Sequence, residues 1–76
     1  MNWQDRIVVD AKVLVGKPVI EGTRIAVDFI IEMLAEGWTH EQILKNYPQL
    51  SGDDIQAALH YAAEVMKLQR VYPLPV

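Results

Sequence analysis

The chain has no cysteine, which removes disulfide staples and thiolate metal ligands together. Histidine is nearly absent: His40 and His60 are the two, far apart in sequence, and with ten scattered carboxylates they are thin material for a metal site. No run approaches the ~18 apolar residues that a membrane span needs, and no basic-plus-apolar leader opens the sequence. A cytoplasmic, soluble protein is therefore expected. There is no excess of positive charge either. The formal net charge is -3, which argues against a generally basic nucleic-acid coat and a polybasic membrane anchor. Internal repeats and low-complexity stretches are also missing.

What is present is apolar material: 51% of 76 residues. That fraction is far above a disordered composition, so the chain should fold, as one domain over residues 1–76. A chain this short removes only ~60% of its unfolded surface from water. With no covalent aid, such a chain often completes its core across an interface, so a homodimer, a higher oligomer or an obligate partner is expected. Charge is unevenly spread. Residues 1–26 carry Arg6, Lys12, Lys17 and Arg24 against Asp5, Asp10 and Glu21, whereas residues 27–76 carry Lys45, Lys67 and Arg70 against seven carboxylates. A phosphate-facing surface would involve the front of the chain.

Two periods divide the sequence. Residues 6–26 read as a β-ribbon of short pieces: Ile7–Val9, Val13–Val15, then Pro18–Ile20 and Thr23–Val27 on either side of a Glu21-Gly22 turn. Pro18 lacks an N–H, which places its strand at an edge. Such a ribbon is also able to pair with a copy of itself. From Val27 the period becomes helical, with Val27, Ile30, Ile31 and Leu34 on one stripe and Gly37 at the left-handed position beyond the last turn. Thr39 and Gln42 form a capping box, Trp38 and Ile43 a hydrophobic staple, and Pro48 ends the second helix near Tyr47. Ser51 and Asp54 repeat the box before a third helix over about 52–69. Its buried stripe is expected to be Ile55, Ala58, Leu59, Ala62 and Val65 or Met66. Pro73 and Pro75 leave 70–76 as an extended apolar tail. The fold class is mainly α: a short N-terminal β-ribbon followed by a three-helix bundle of helix-turn-helix type over residues 27–69.

Enzyme chemistry finds little support. Asp53 and Asp54 are adjacent, so on a helix they diverge by ~100° and suit the helix N-terminus better than a shared substrate. His40 reads as a solvated first-turn residue and His60 as an exposed helical one. No nucleophile elbow, Lys-Ser phosphate loop or paired-His motif occurs. Gly16-Lys17-Pro18 is no substitute, since proline removes a backbone donor. No catalytic residue, metal or cofactor is expected.

Binding finds more. If the second and third helices form a helix-turn-helix pair, Gln49, Ser51, Gln56 and His60 are the side chains placed to meet base edges, with Lys17 and Arg24 on phosphates. Against DNA, the third helix carries Asp53, Asp54 and Glu64 and only Lys67 in return, so it offers few cations for counterion release. For a protein partner, Val71, Tyr72, Leu74 and Val76 make an extended apolar strip fit to dock in a groove or add a strand. The alternative for that tail is to fold back near Trp3 or Trp38.

Asp10 through Val27, DAKVLVGKPVIEGTRIAV, resembles the signature of domain-of-unknown-function family 433, a Gly-Lys-Pro-x-Ile-x-Gly-Thr-Arg-Ile-x-Val block. The likeness continues through Leu34-Ala35-Glu36-Gly37, Glu41 to Leu50 and Asp54 to Ala62, roughly residues 6–65 in all. Position 26, often proline in that family, is alanine here. The resemblance implies a homeodomain-like helix-turn-helix protein similar to VapB-like antitoxins. Such a protein binds and silences a small PIN-like nuclease toxin encoded beside it, acts as a dimer, and in some relatives represses its own operon. A helix-turn-helix repressor and a non-enzymatic scaffold module are the alternatives. Within the signature block, Arg24 is expected to clamp Glu21, Asp28 or backbone carbonyls; its sharper alternative is a phosphate or a partner's acidic residue.

Overall fold

The computed structural model describes residues 2–12 and 14–68. In chain order these form a 3-10 turn (Trp3–Arg6), strand β1 (Ile7–Val9), a second short turn (Leu14–Gly16), strand β2 (Pro18–Ile20), and helices α1 (Val27–Ala35), α2 (His40–Asn46) and α3 (Gly52–Leu68). The protein is thus mainly helical with a two-stranded N-terminal ribbon, as expected. The tail residues Val71, Tyr72, Leu74 and Val76 lie outside the described residues.

In the ribbon β1 and β2 run antiparallel, with Ile7 opposite Ile20, Val8 opposite Val19 and Val9 opposite Pro18. Pro18 opens its strand, where a missing N–H costs least. Two expected strands take other forms. Leu14–Gly16 is a turn: Val15 has φ 57 and ψ 40, followed by Gly16 at φ 78. The chain must reverse between β1 and β2, and that reversal overrides the β preference of an apolar run; Val13 lies outside the described residues. The strand expected over Thr23–Val27 shrinks to one bridge between Val19 and Ala26, because Val27 already opens α1.

Three of the helix ends have an identifiable chemical cause. After α1, Gly37 sits at φ 94, its N–H bonds to the Leu34 carbonyl at 3.0 Å, and that of Trp38 bonds to Met33 at 3.0 Å. This paired closure needs a left-handed residue, which glycine adopts without a Cβ penalty. Before α2, the Thr39 hydroxyl accepts from the Gln42 N–H at 3.1 Å while the Gln42 side chain accepts from the Thr39 N–H at 2.8 Å. Before α3, the Ser51 N–H donates to Asp54 at 2.9 Å and the Ser51 hydroxyl accepts from the Asp54 N–H at 3.3 Å.

The core takes one wholly buried isoleucine from β2 and one from each helix: Ile20, Ile30, Ile43 and Ile55. Met33, Leu50 and Ala58 fill the spaces between them, and Trp38 packs against the cluster that holds Ile43. The expected stripe of α3 is only half realised. Ile55, Ala57 and Ala58 are buried, but Leu59 and Val65 are exposed at 38% and 37%, and Met66 at 67%. The reason is geometric: α1 faces the second half of α3 across an open gap and does not pack closely against it.

Candidate functional site

The N-terminal turn acts as a strap across the first half of α3. Arg6 places one guanidinium nitrogen 3.0 Å from Asp54 and the other 3.4 Å from Asp53. Asp54 is the one buried charged residue among those described. Its two oxygens are both engaged, one by Arg6 and one by the Ser51 N–H. Trp3 stacks on His60, ring centres 6.0 Å apart and 9° from parallel, and meets Tyr61 edge-on at 6.4 Å. Nothing in the sequence pattern signals these contacts, because their partners lie more than forty positions apart.

This strap bears on the residues expected to read DNA. Ser51 spends its hydroxyl on the α3 cap, and His60 is held under Trp3. Gln49 and Gln56 are exposed, the first in the turn before α3 and the second on the helix. Lys17 forms a 3.1 Å ion pair with Asp28. Lys17 and Arg24 line one shallow depression, and none of Gln49, Ser51, Gln56 or His60 lines it with them. The six residues therefore do not converge on one surface depression. The clamp expected of Arg24 is not formed with Glu21 or Asp28. Among the described residues, the ion pairs join Arg6 to Asp53 and Asp54, Lys17 to Asp28, and Lys67 to Glu64. Among the same residues no three metal-ligating side chains come together.

An apolar concavity lies elsewhere. An open groove of about 380 Å³ runs between α1 and the second half of α3. Pro18, Val27, Ile31 and Ala35 form one wall; Tyr61, Ala62, Val65 and Met66 form the other. Among the described residues its charged lining comes from Asp28 and Glu32, one turn apart on α1. Full burial of a Val or Met side chain is worth roughly 1.5–3 kcal/mol; since Val65 and Met66 are already partly covered, burying the rest of both offers a partner about that much in all. The signal that finds this groove is present in the sequence. The expected α3 stripe runs on to Val65 and Met66, two turns beyond Ala58, the last wholly buried residue of the helix among those described.

Comparison with known proteins places this architecture. A 24-residue stretch is 75% identical to an uncharacterized protein of Archaeoglobus fulgidus, covering 32% of this chain and 67% of that one. The fold is similar to the crystal structure of a DUF433 member protein from Anabaena variabilis, with a TM-score of 0.79 and 31% identity over 86% of this chain. The chain spans 64% of the length of that protein. The model of the family described as "Protein of unknown function (DUF433)" matches residues 7–62, and the chain belongs to that family.

Proposed function

We propose that the chain is an antitoxin-like, non-catalytic protein that binds and neutralises a small PIN-like nuclease encoded beside it. The observation that supports this reading is the groove between α1 and α3. It is apolar on both walls and rimmed by Asp28 and Glu32, a combination that suits a partner with an apolar ridge beside basic side chains. An enzyme that cuts RNA needs such basic groups near its cleft, and an acidic rim laid beside them both attracts the partner and competes with the substrate's phosphates. The acids Asp53, Asp54 and Glu64 contribute less to this attraction, since Arg6 and Lys67 already neutralise them in part.

Dimerisation belongs to the same proposal. The outer edge of β1 carries Val8 and Val9, exposed at 36% and 61%, and an open strand edge with apolar side chains invites a second copy.

The test is co-expression with the product of the neighbouring gene, with complex mass measured by light scattering during gel filtration. A mixed complex that suppresses RNA cleavage and is lost in Val65→Asp supports the antitoxin reading. A homodimer that ignores the neighbour overturns it and makes the operon repressor the reading to pursue. A lone folded monomer counts against both.

A further inference from the structure

We infer that Arg24 is an anchor for a carboxylate presented by a protein partner, in a depression that adjoins the groove along α1. The turn that carries it is unusually well determined. Gly22 sits at φ 78. The Thr23 hydroxyl donates to the Ile20 carbonyl at 2.8 Å and accepts from the Ile25 N–H at 3.0 Å. The Ile20 N–H closes the loop on the Ile25 carbonyl at 3.0 Å. Ile20 and Ile25 are both buried. Backbone position 24 is thus held between core side chains while its own side chain stands in solvent. Among the described residues its guanidinium enters no ion pair. A planar fork of donors on a rigid base, with no carboxylate of its own, is preorganised for one from outside.

The surroundings decide which class of partner supplies it. Arg24 lines a depression of about 520 Å³ with Val15, Lys17, Asp28, Phe29 and Glu32. Val15 is a β-branched residue in the left-handed region, at φ 57, with 96% of its surface exposed; conformations of that kind carry strain and concentrate at functional surfaces. Phe29 is 39% exposed and is braced edge-on by Tyr47 at 5.5 Å. A guanidinium beside unpacked apolar side chains has the composition of a protein-interface centre. A nucleic acid fits poorly, because a phosphate backbone is held by several cations, and Lys17 is already committed to Asp28 at 3.1 Å; that leaves one guanidinium in the depression, which suits a single carboxylate. The occupant is therefore an aspartate, a glutamate or a terminal carboxylate flanked by an apolar side chain that covers Val15 and Phe29. Since Asp28 and Glu32 line both this depression and the groove, one partner can span α1 and use both, but the Arg24 site does not depend on the partner being a nuclease.

The experiment titrates the ¹⁵N-labelled full chain with acetyl-Leu-Glu-Leu-amide, with acetyl-Leu-Lys-Leu-amide, and with a short duplex DNA, following the Arg24 Nε–H signal and the amides of Val15 and Phe29. The glutamate peptide is expected to shift these signals saturably and to bind about fivefold more tightly than the lysine peptide, the scale of a well-oriented exposed ion pair. Arg24→Gln should erase that difference with the rest of the spectrum unchanged, and Arg24→Lys should restore part of it. The proposal is overturned if both peptides act alike, if Arg24→Gln leaves glutamate binding intact, if neither peptide produces a response at millimolar concentration, or if only the DNA moves Arg24.

Discussion

The two halves of α3 share one helix and one apolar period, yet they meet opposite fates. In the first half Ile55, Ala57 and Ala58 are wholly buried, enclosed by α1 and α2 on one side and by the Trp3–Arg6 strap on the other. In the second half Val65, Met66 and Leu68 are exposed at 37%, 67% and 84%. The difference lies in what surrounds each half: beside the second half, α1 stands off across the open groove and leaves the side chains there partly uncovered. One half thus serves the stability of the fold, and the other supplies a wall of the groove offered to a partner.

Mutations that separate these halves sharpen the contrast. The largest effect is expected from Ile55→Ala, which leaves a cavity where no solvent reaches the native side chain; urea denaturation should show a loss of about 2–5 kcal/mol. A midpoint unchanged from the wild type would break the comparison at its root. Arg6→Ala comes next, because it strips the partner from a carboxylate whose side chain is only 11% exposed. A loss of about 1.5–3 kcal/mol is expected, and Asp54→Asn in the same background should then cost less than it does alone, as a double-mutant cycle would reveal. Thr39→Ala removes one side of the α2 capping box and should lower stability by about 1 kcal/mol, read from the thermal midpoint. At the small end, Met66→Ala should change stability by less than about 0.5 kcal/mol while weakening the mixed complex in the light-scattering experiment. A large thermal destabilisation by Met66→Ala would mean that the second half of α3 is structural after all.

Much of the fold was legible because its causes are local. The Thr39–Gln42 and Ser51–Asp54 boxes, the glycine closure after α1 and the stop at Pro48 depend on residues within a few positions of one another, so spacing alone reveals them. The strand expected over Val13–Val15 failed for a non-local reason: three apolar residues favour β structure, but the chain there must turn back so that Ile7 meets Ile20. Of the residues expected to contact DNA, Ser51 and His60 are engaged within the chain, and only in the case of Ser51 did a local pattern foretell the engagement. The expected role of Arg24 as a clamp rested on nearby carboxylates in sequence, and Lys17 reached Asp28 instead.

The sequence by itself determined the order of ribbon and helices, the helix ends and part of the helical core, Val27, Ile30, Ile43, Ile55 and Ala58, because periodicity and capping act over one or two turns of chain. Only the tertiary structure decided which apolar residues stay uncovered, that Arg6 crosses to Asp54, that Trp3 stacks on His60, and that Arg24 enters no ion pair among the described residues. Those outcomes depend on the placement of elements distant in sequence, and on which of several competing groups arrives first within bonding distance, neither of which a local pattern encodes.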